Sequence, residues 1–303
     1  MRVLVIGAGA VGGYFGGRLV EKGEDVTFLV RPRRQAELQT NGLTLRSVNG
    51  DFQSPVQTLV AGEKTQSFDL ILLTTKAYHL NQAMDDFACY VGEHTTIFPV
   101  LNGFEHFDRL AKRFGKEKVI GGLTFIESTL NQKGEIEHYS KMHHLIFGEW
   151  NGEKTERIEQ IEALLEGANL RYQATSEIWN EVWKKYLFIA AMSGMTSLMR
   201  SSLGPIWDSD YGKETYQQFL EELVAVALTQ EPRLDKNTAN QIWDRTSGMP
   251  EAMKSSMLRD IEKGYPIETE HFHGYLLRKK PANLPTPILA TVYTALSLYQ
   301  PTS

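Results

Sequence analysis

The sequence predicts an α/β amino-terminal domain built on a mostly parallel sheet, followed by an all-helical carboxy-terminal domain. Three observations indicate this class. The chain opens with a strand, a glycine-rich turn, a helix and a second strand, and the run Asp69–Thr74 is densely apolar, as in a strand buried on both faces. From about Glu153, helical periodicity replaces strand-like runs. We therefore expect one domain over residues 1–172 and another over 173–303, enough chain for two domains.

The amino-terminal elements alternate between strands and helices. The first strand is Arg2–Ile6, the second is Val26–Val30, and a helix over 32–41 stops at Asn41-Gly42. Further strands are predicted at 43–46, 52–59, 69–74, 96–101, 119–130, 136–139 and 144–147. This alternation is typical of a doubly wound Rossmann domain, in which ligands bind at the carboxyl ends of the strands.

The carboxy-terminal half reads as helices. They are predicted near 154–167, 176–199, 211–230, 235–246, 270–280 and 287–299. Pro285 and Pro287 mark the start of the last one. We expect the active site to lie in a cleft between the two domains.

The turn after the first strand has the GxGxxG spacing of a dinucleotide site. Gly7 permits the tight turn, Gly9 lets the backbone approach a pyrophosphate, and Gly12 allows close packing of helix on strand. Phosphates would then lie at the positive end of the following helix. The predicted cofactor contacts in this turn are Gly7, Ala8, Gly9, Ala10, Val11 and Gly12.

The residue that ends the second strand favours NADPH/NADP+ over NAD(H). An NAD site usually has Asp or Glu there for the ribose 2′-hydroxyl, whereas this chain has Arg31. A guanidinium cannot accept that hydrogen bond but pairs well with a 2′-phosphate. Lys76, which follows the strand 69–74, is the second cation expected near that phosphate.

Composition excludes several classes of protein. The net charge of −5 argues against a nucleic-acid surface, and no apolar run is long enough to span a membrane. Met1 leads directly into the first strand, so no secretory signal is expected. Cys89 is the single cysteine and the histidines lack zinc-type spacing, so we expect no disulfide, no metal site and a cytoplasmic location.

Several further motifs occur in a fixed order and carry a family resemblance. They are GAGAVGGYFGGRL, TTKAY at 74–78, LNGFEH at 101–106, WKKYLFIAA at 183–191, and SSMLRDIEKG followed by IETE at 255–270. With Arg31, this set resembles the ketopantoate reductase (2-dehydropantoate 2-reductase) family over nearly the whole chain. The resemblance implies NADPH-dependent reduction of 2-dehydropantoate, a small 2-oxo acid, to (R)-pantoate, a step towards pantothenate and coenzyme A.

The resemblance also implies a role for each matching residue. Lys185 matches the catalytic lysine, and Glu268 matches the glutamate of the cleft. Asn102 matches the asparagine that contacts both nicotinamide and substrate, and Ser256 matches a serine that holds the substrate. Arg31 and Lys76 match the basic groups around the adenosine phosphate. The chemistry agrees, because an ammonium can stabilise the charge that develops on a ketone oxygen and then deliver a proton.

The chain departs from the family pattern at the substrate end. Lys185, Ile189 and Ser193 share one helix face, and the family has asparagines at the two later positions. A further expected asparagine is Leu203, and a polar residue often seen before Asn102 is Leu101.

Ser193 and its polar neighbours could compensate for the lost asparagines, and Arg200 could bind a substrate carboxylate. Two alternatives stay open at this point: a reductase of another branched 2-oxo acid, or a sensor that binds NADP(H) without catalysis. The apolar faces of the last helices could form either core or a homodimer surface.

Overall fold

The computed structural model describes residues 1–302 and divides into two compact units. Unit 1 comprises residues Met1–Leu101 and His106–Trp179. Unit 2 comprises Asn102–Glu105 and Asn180 onwards. The short segment Asn102–Glu105 thus groups with the carboxy-terminal unit, although it follows a strand of the amino-terminal one.

Unit 1 contains every strand among the described residues. In chain order its elements are β1 (Val3–Ile6), α1 (Ala10–Lys22), β2 (Val26–Leu29), α2 (Pro32–Asn41), β3 (Leu43–Ser47), β4 (Phe52–Ser54), β5 (Gln57–Leu59), β6 (Phe68–Leu73), α3 (Leu80–Phe87), β7 (Val91–Pro99), α4 (Glu105–Phe114), β8 (Gly121–Leu130), β9 (Ile136–Gly148), α5 (Glu156–Leu165) and β10 (Arg171–Ala174). Two five-stranded sheets result.

The first sheet carries the glycine turn. Its order is β5-β2-β1-β6-β7 and all its pairs are parallel. Ile6 pairs with Leu29 on one side and with Leu73 on the other, so these strands end level with one another. The register places the residues that follow β1, β2 and β6 at a single edge of the sheet.

The second sheet is mixed and packs against the other side of α1. Its order is β10-β9-β3-β4, with β8 antiparallel to β9. The Gly12–Leu19 stretch of α1 is buried, and Gly13 and Gly17 lie against Ile136 of β9 and Leu45 of β3. Small residues on this helix therefore let two sheets approach it closely.

Unit 2 is helical. It contains most of α6 (Ile178–Met199), then α7 (Leu203–Asp208), α8 (Gly212–Gln230), α9 (Thr238–Ser247), α10 (Ser256–Glu262), a π-helix (Glu270–Gly274), α11 (Tyr275–Lys279) and α12 (Pro287–Ser297). Its core includes aromatic side chains such as Phe219 and Phe272, which are fully buried.

The predicted fold class is confirmed, and several details differ from the sequence-based expectation. The run 52–59 forms two strands in different sheets, because Pro55 lies between them. Residues 136–148 form one long strand rather than two. The strand Arg171–Ala174 was not predicted. The helix predicted at 270–280 begins as a π-helix, which periodicity of 3.6 residues cannot identify.

Candidate active site

The glycine turn of unit 1 leaves the N-terminal end of α1 open. Gly9 is the N-cap of α1, is exposed, and has no atom within 4 Å of the position that a Cβ would occupy. At Gly12 the opposite holds, because a Cβ would lie 2.2 Å from the Gly7 carbonyl oxygen and 2.3 Å from Thr74 Oγ1. A side chain at 12 would push the helix off the sheet, whereas the space before α1 remains available to an anion.

Three side chains hold the turn from neighbouring elements. Thr74 Oγ1 donates to the Ile6 carbonyl at 2.8 Å, Ser128 Oγ donates to the Ala10 carbonyl at 3.0 Å, and Arg34 Nε donates to the Ala8 carbonyl at 3.2 Å. Sequence reasoning missed these supports. Only Thr74 stands in a motif that could have indicated it.

The predicted phosphate cations lie at the same edge of the first sheet. Arg31 is exposed and precedes α2 as its N-cap, and Lys76 precedes the short 3₁₀ turn Ala77–His79. Burial lowers the pKa of His79, and the Arg31 charge lowers it further. The Arg31 charge therefore acts on the turn that follows Lys76.

In unit 2 the structure brings Lys185 and Asn102 together. Lys185 lies on α6, 83 residues along the chain from Asn102, and its Nζ donates to Asn102 Oδ1 at 2.9 Å. Its side chain is only 8% exposed. Glu268, which precedes the π-helix, is also buried and acts on the Lys185 charge.

Two opposing effects set the pKa of Lys185. Burial disfavours the ammonium and lowers its pKa, while the Glu268 carboxylate raises it, and the outcome is about 7 against an ordinary 10.5. A lysine with a pKa near neutrality can give and take a proton under physiological conditions.

The loop that carries Asn102 is fixed by close packing. Gly103 has φ +93°, and a Cβ there would lie 2.6 Å from His271 Cδ2. Phe104 stacks on Trp183 with ring centroids 4.3 Å apart, and Glu105 forms an ion pair with Arg278 at 3.1 Å. Because Trp183 lies two residues before Lys185 on α6, the stacked rings hold the loop beside the lysine.

The predicted substrate residues differ in exposure. Ser193 is buried and Ile189 is partly buried, on the same α6 face as Lys185. Ser256 is exposed at the first position of α10, whereas its neighbour Ser255 is the N-cap, accepting from Leu258 N at 3.1 Å.

Two other residues of this segment have structural surroundings. Leu203 is fully buried, and its backbone N donates to the Met253 carbonyl at 3.1 Å. The Arg200 guanidinium lies over the Tyr299 ring, 5.5 Å from its centroid. The sequence-based suggestion that Arg200 binds a substrate carboxylate therefore has a competing contact in the structure.

Models of a known protein family match both units of the chain. A family model described as ketopantoate reductase PanE/ApbA matches residues 3–152, and its C-terminal counterpart matches 177–300. The chain belongs to the ketopantoate reductase family. The resemblance inferred from the motifs is thereby confirmed.

Individual relatives and solved structures match along nearly their whole length. An uncharacterized oxidoreductase of Bacillus subtilis, YkpB, is 43% identical over 99% of both chains. The crystal structure of 2-dehydropantoate 2-reductase from Geobacter metallireducens is 29% identical with a TM-score of 0.86, covering 98% of this chain and 99% of that one. A ternary D-mandelate dehydrogenase structure with NADH and anilino(oxo)acetate shares the fold, with a TM-score of 0.87, 19% identity, and coverage of 98% and 97%.

Two features are absent from the part of the chain that the structure describes. Within residues 1–302, no helix combines the length and apolar character needed to cross a membrane. In the same range, no group of three or more His, Cys, Asp or Glu side chains is arranged to hold a metal ion.

Proposed function

We propose that the protein reduces 2-dehydropantoate to (R)-pantoate with NADPH, with Lys185 as the proton donor. The observation that carries this proposal is the buried Lys185 ammonium, which is bonded to Asn102 at 2.9 Å and has a pKa of about 7. Membership of the ketopantoate reductase family supports the reaction class. The family name alone does not choose the substrate.

The glycine turn fits the pyrophosphate of a dinucleotide. The open space at Gly9 and the uncapped first turn of α1 would receive phosphate oxygens on backbone N–H groups. Arg31 and Lys76 would pair with the 2′-phosphate, which favours NADPH over NADH. When bound, NADPH supplies the hydride that reaches the ketone carbon.

Lys185 completes the reaction at the ketone oxygen. As the carbonyl carbon gains hydride, negative charge grows on its oxygen, and the ammonium stabilises that charge. The Nζ–H bond then breaks and its proton passes to the oxygen, giving the 2-hydroxy acid and a neutral amine. Asn102 Oδ1 orients the ammonium. Glu268 keeps enough of the lysine protonated, because it raises a pKa that burial lowers.

A second candidate is the reduction of another branched 2-oxo acid, and the α6 face supports it. Ile189 and Ser193 follow Lys185 at successive turns, where the family carries asparagines, and Leu203 is fully buried. Each hydrogen bond lost to a polar substrate costs about 1–3 kcal/mol if its partner stays unpaired. Isoleucine would instead favour a substrate without a hydroxyl at that position. A non-catalytic NADP(H) sensor is less well supported, since a sensor has no need of a buried lysine with a near-neutral pKa.

The test is a steady-state assay with purified protein, following nicotinamide absorbance. The panel contains ketopantoate, its analogue without the 4-hydroxyl (3,3-dimethyl-2-oxobutanoate) and a straight-chain 2-oxo acid, each with NADPH and in parallel with NADH. A kcat/KM highest for ketopantoate with NADPH supports the first candidate, and preference for the analogue supports the second. Equal and negligible rates with every acid would refute both.

A further inference from the structure

The π-helix Glu270–Gly274 begins two residues after Glu268, and its histidines have no role in the proposed chemistry. Such single-turn irregularities are uncommon and often occur at functional sites. Here the π-helix presents His271 to the Asn102 loop, through its contact with Gly103, and buries His273 completely.

His273 links the residue after Glu268 to the helix that carries Lys185. Its Nε2 lies 2.9 Å from the Ala190 carbonyl oxygen, and its Nδ1 lies 3.0 Å from Thr269 Oγ1. A carbonyl oxygen only accepts, so Nε2 carries the hydrogen, and Nδ1 accepts from the Thr269 hydroxyl. Burial lowers the pKa of His273 to about 4, so the ring is neutral at pH 7 and this tautomer is consistent with both bonds.

Helix α6 leaves room for the His273 ring at Gly194, and it makes a second hydrogen bond to the π-helix. A Cβ at Gly194 would lie 3.0 Å from His273 Nε2, so a larger residue would push the imidazole away. The Tyr186 hydroxyl donates to the Phe272 carbonyl oxygen one turn before Ala190. Burial raises the pKa of Tyr186, which keeps that hydroxyl protonated. The π-helix is thus fastened to α6 at two points that follow Lys185.

We propose that His273 is a positioning residue: through Thr269 and the Ala190 carbonyl it fixes the separation between Glu268 and Lys185. This inference rests on the proposed function, because it matters only if the pair acts in proton transfer. Thr269 adjoins Glu268, and Ala190 lies five residues after Lys185 on a continuous helix. Because α6 is rigid, these two hydrogen bonds set the distance between the Glu268 carboxylate and the Lys185 ammonium.

The direct readout is the pKa of Lys185, which depends on Glu268. We would label the full chain with ¹³C-lysine, follow the Lys185 Cε resonance against pH, and assign it with Lys185→Arg. Glu268→Gln removes the carboxylate and should lower the Lys185 pKa by about one unit, and the other variants are compared with that shift. Thr269→Val is isosteric and removes only the hydroxyl that donates to His273. This variant and His273→Leu should each lower the Lys185 pKa by about half a unit. His273→Gln, which can still donate to Ala190, should recover part of the shift.

The matched control is Thr246→Val, because it likewise removes a buried threonine hydroxyl, in this case one that donates to the Ile242 carbonyl oxygen at 2.7 Å. It should leave the Lys185 pKa unchanged. If Thr269→Val behaves like this control while Glu268→Gln shifts the pKa, the positioning role is wrong, even if His273→Leu does not fold. If Glu268→Gln has no effect, the role is also wrong. Because this titration needs no substrate, failure of the 2-oxo acid assay would refute the proposed function separately.

Discussion

The two units present their candidate functional groups in opposite ways. In unit 1 the groups are exposed: Gly9 opens the first turn of α1, and the Arg31 side chain is in solvent. In unit 2 the lysine and its carboxylate are buried, with Lys185 at 8% and Glu268 at 7% exposure, although Ser256 is exposed. The difference fits the two tasks that we propose for these groups. A phosphorylated ligand brings its own charge and needs open N–H groups and cations, whereas a proton donor needs a low-dielectric site that shifts its pKa.

The largest expected effect comes from removing the buried cation. Lys185→Met should lower kcat for 2-oxo acid reduction by about 10³-fold, within the range for loss of a general acid and equivalent to about 4 kcal/mol in the barrier. NADPH affinity, measured by fluorescence titration, should change little, because the glycine turn and Arg31 are untouched.

The matched control is Lys184→Met, which removes a partly exposed lysine from the adjacent position on α6. It should keep near-normal turnover. Equal losses for the two variants would show that charge on this helix, rather than a specific proton donor, supports activity, and the contrast between the units would disappear.

The two sites also differed in how far sequence could predict them. The turn Gly7–Gly12 and the strand that ends before Arg31 lie within thirty-one residues, and local spacing determines their geometry. Lys185 and Asn102 are 83 residues apart, so only a family resemblance could pair them beforehand. The contact between His273 and the Ala190 carbonyl also joins residues 83 positions apart, and no periodicity argument predicts it.

Arg31→Ser tests the exposed candidate phosphate site of unit 1. Loss of a charge-assisted contact with a 2′-phosphate should raise the Kd for NADPH by about 10–100-fold and leave that for NADH almost unchanged. Isothermal titration with both nucleotides measures this. Arg33→Ser is the control, since the Arg33 side chain is 93% exposed and pairs with Glu37. A parallel loss of NADH affinity would argue against recognition of the 2′-phosphate.

The burial of Lys185 predicts that the rate of reduction depends on pH. The proposed donor is the protonated amine of Lys185, so kcat/KM for reduction should be level below its pKa of about 7 and fall about tenfold per pH unit above it. Glu268 raises that pKa, so Glu268→Gln should move the fall to lower pH and cost about tenfold near pH 8. A profile for Glu268→Gln that overlays the native one would show that the two groups are uncoupled.

The smallest expected effect is a change in stability on replacing Arg200, the residue that follows the last residue of α6. Arg200 has φ +52°, the left-handed region, and the Ser201 N donates to the Thr196 carbonyl at 3.1 Å, as at a helix end that usually takes glycine. Arg200→Gly should therefore raise the free energy of unfolding by about 0.5–1 kcal/mol, less what the Tyr299 contact contributes.

Arg200→Ala separates the two contributions, because it loses the guanidinium without relieving the backbone, and thermal denaturation should place it below both the native chain and Arg200→Gly. The same variants test the alternative role of this side chain. Since the guanidinium lies over Tyr299, we expect the KM for the 2-oxo acid to stay within about twofold in both variants. A KM raised tenfold in both would instead make Arg200 the carboxylate ligand, and the substrate end of unit 2 would then use an exposed cation, as unit 1 does.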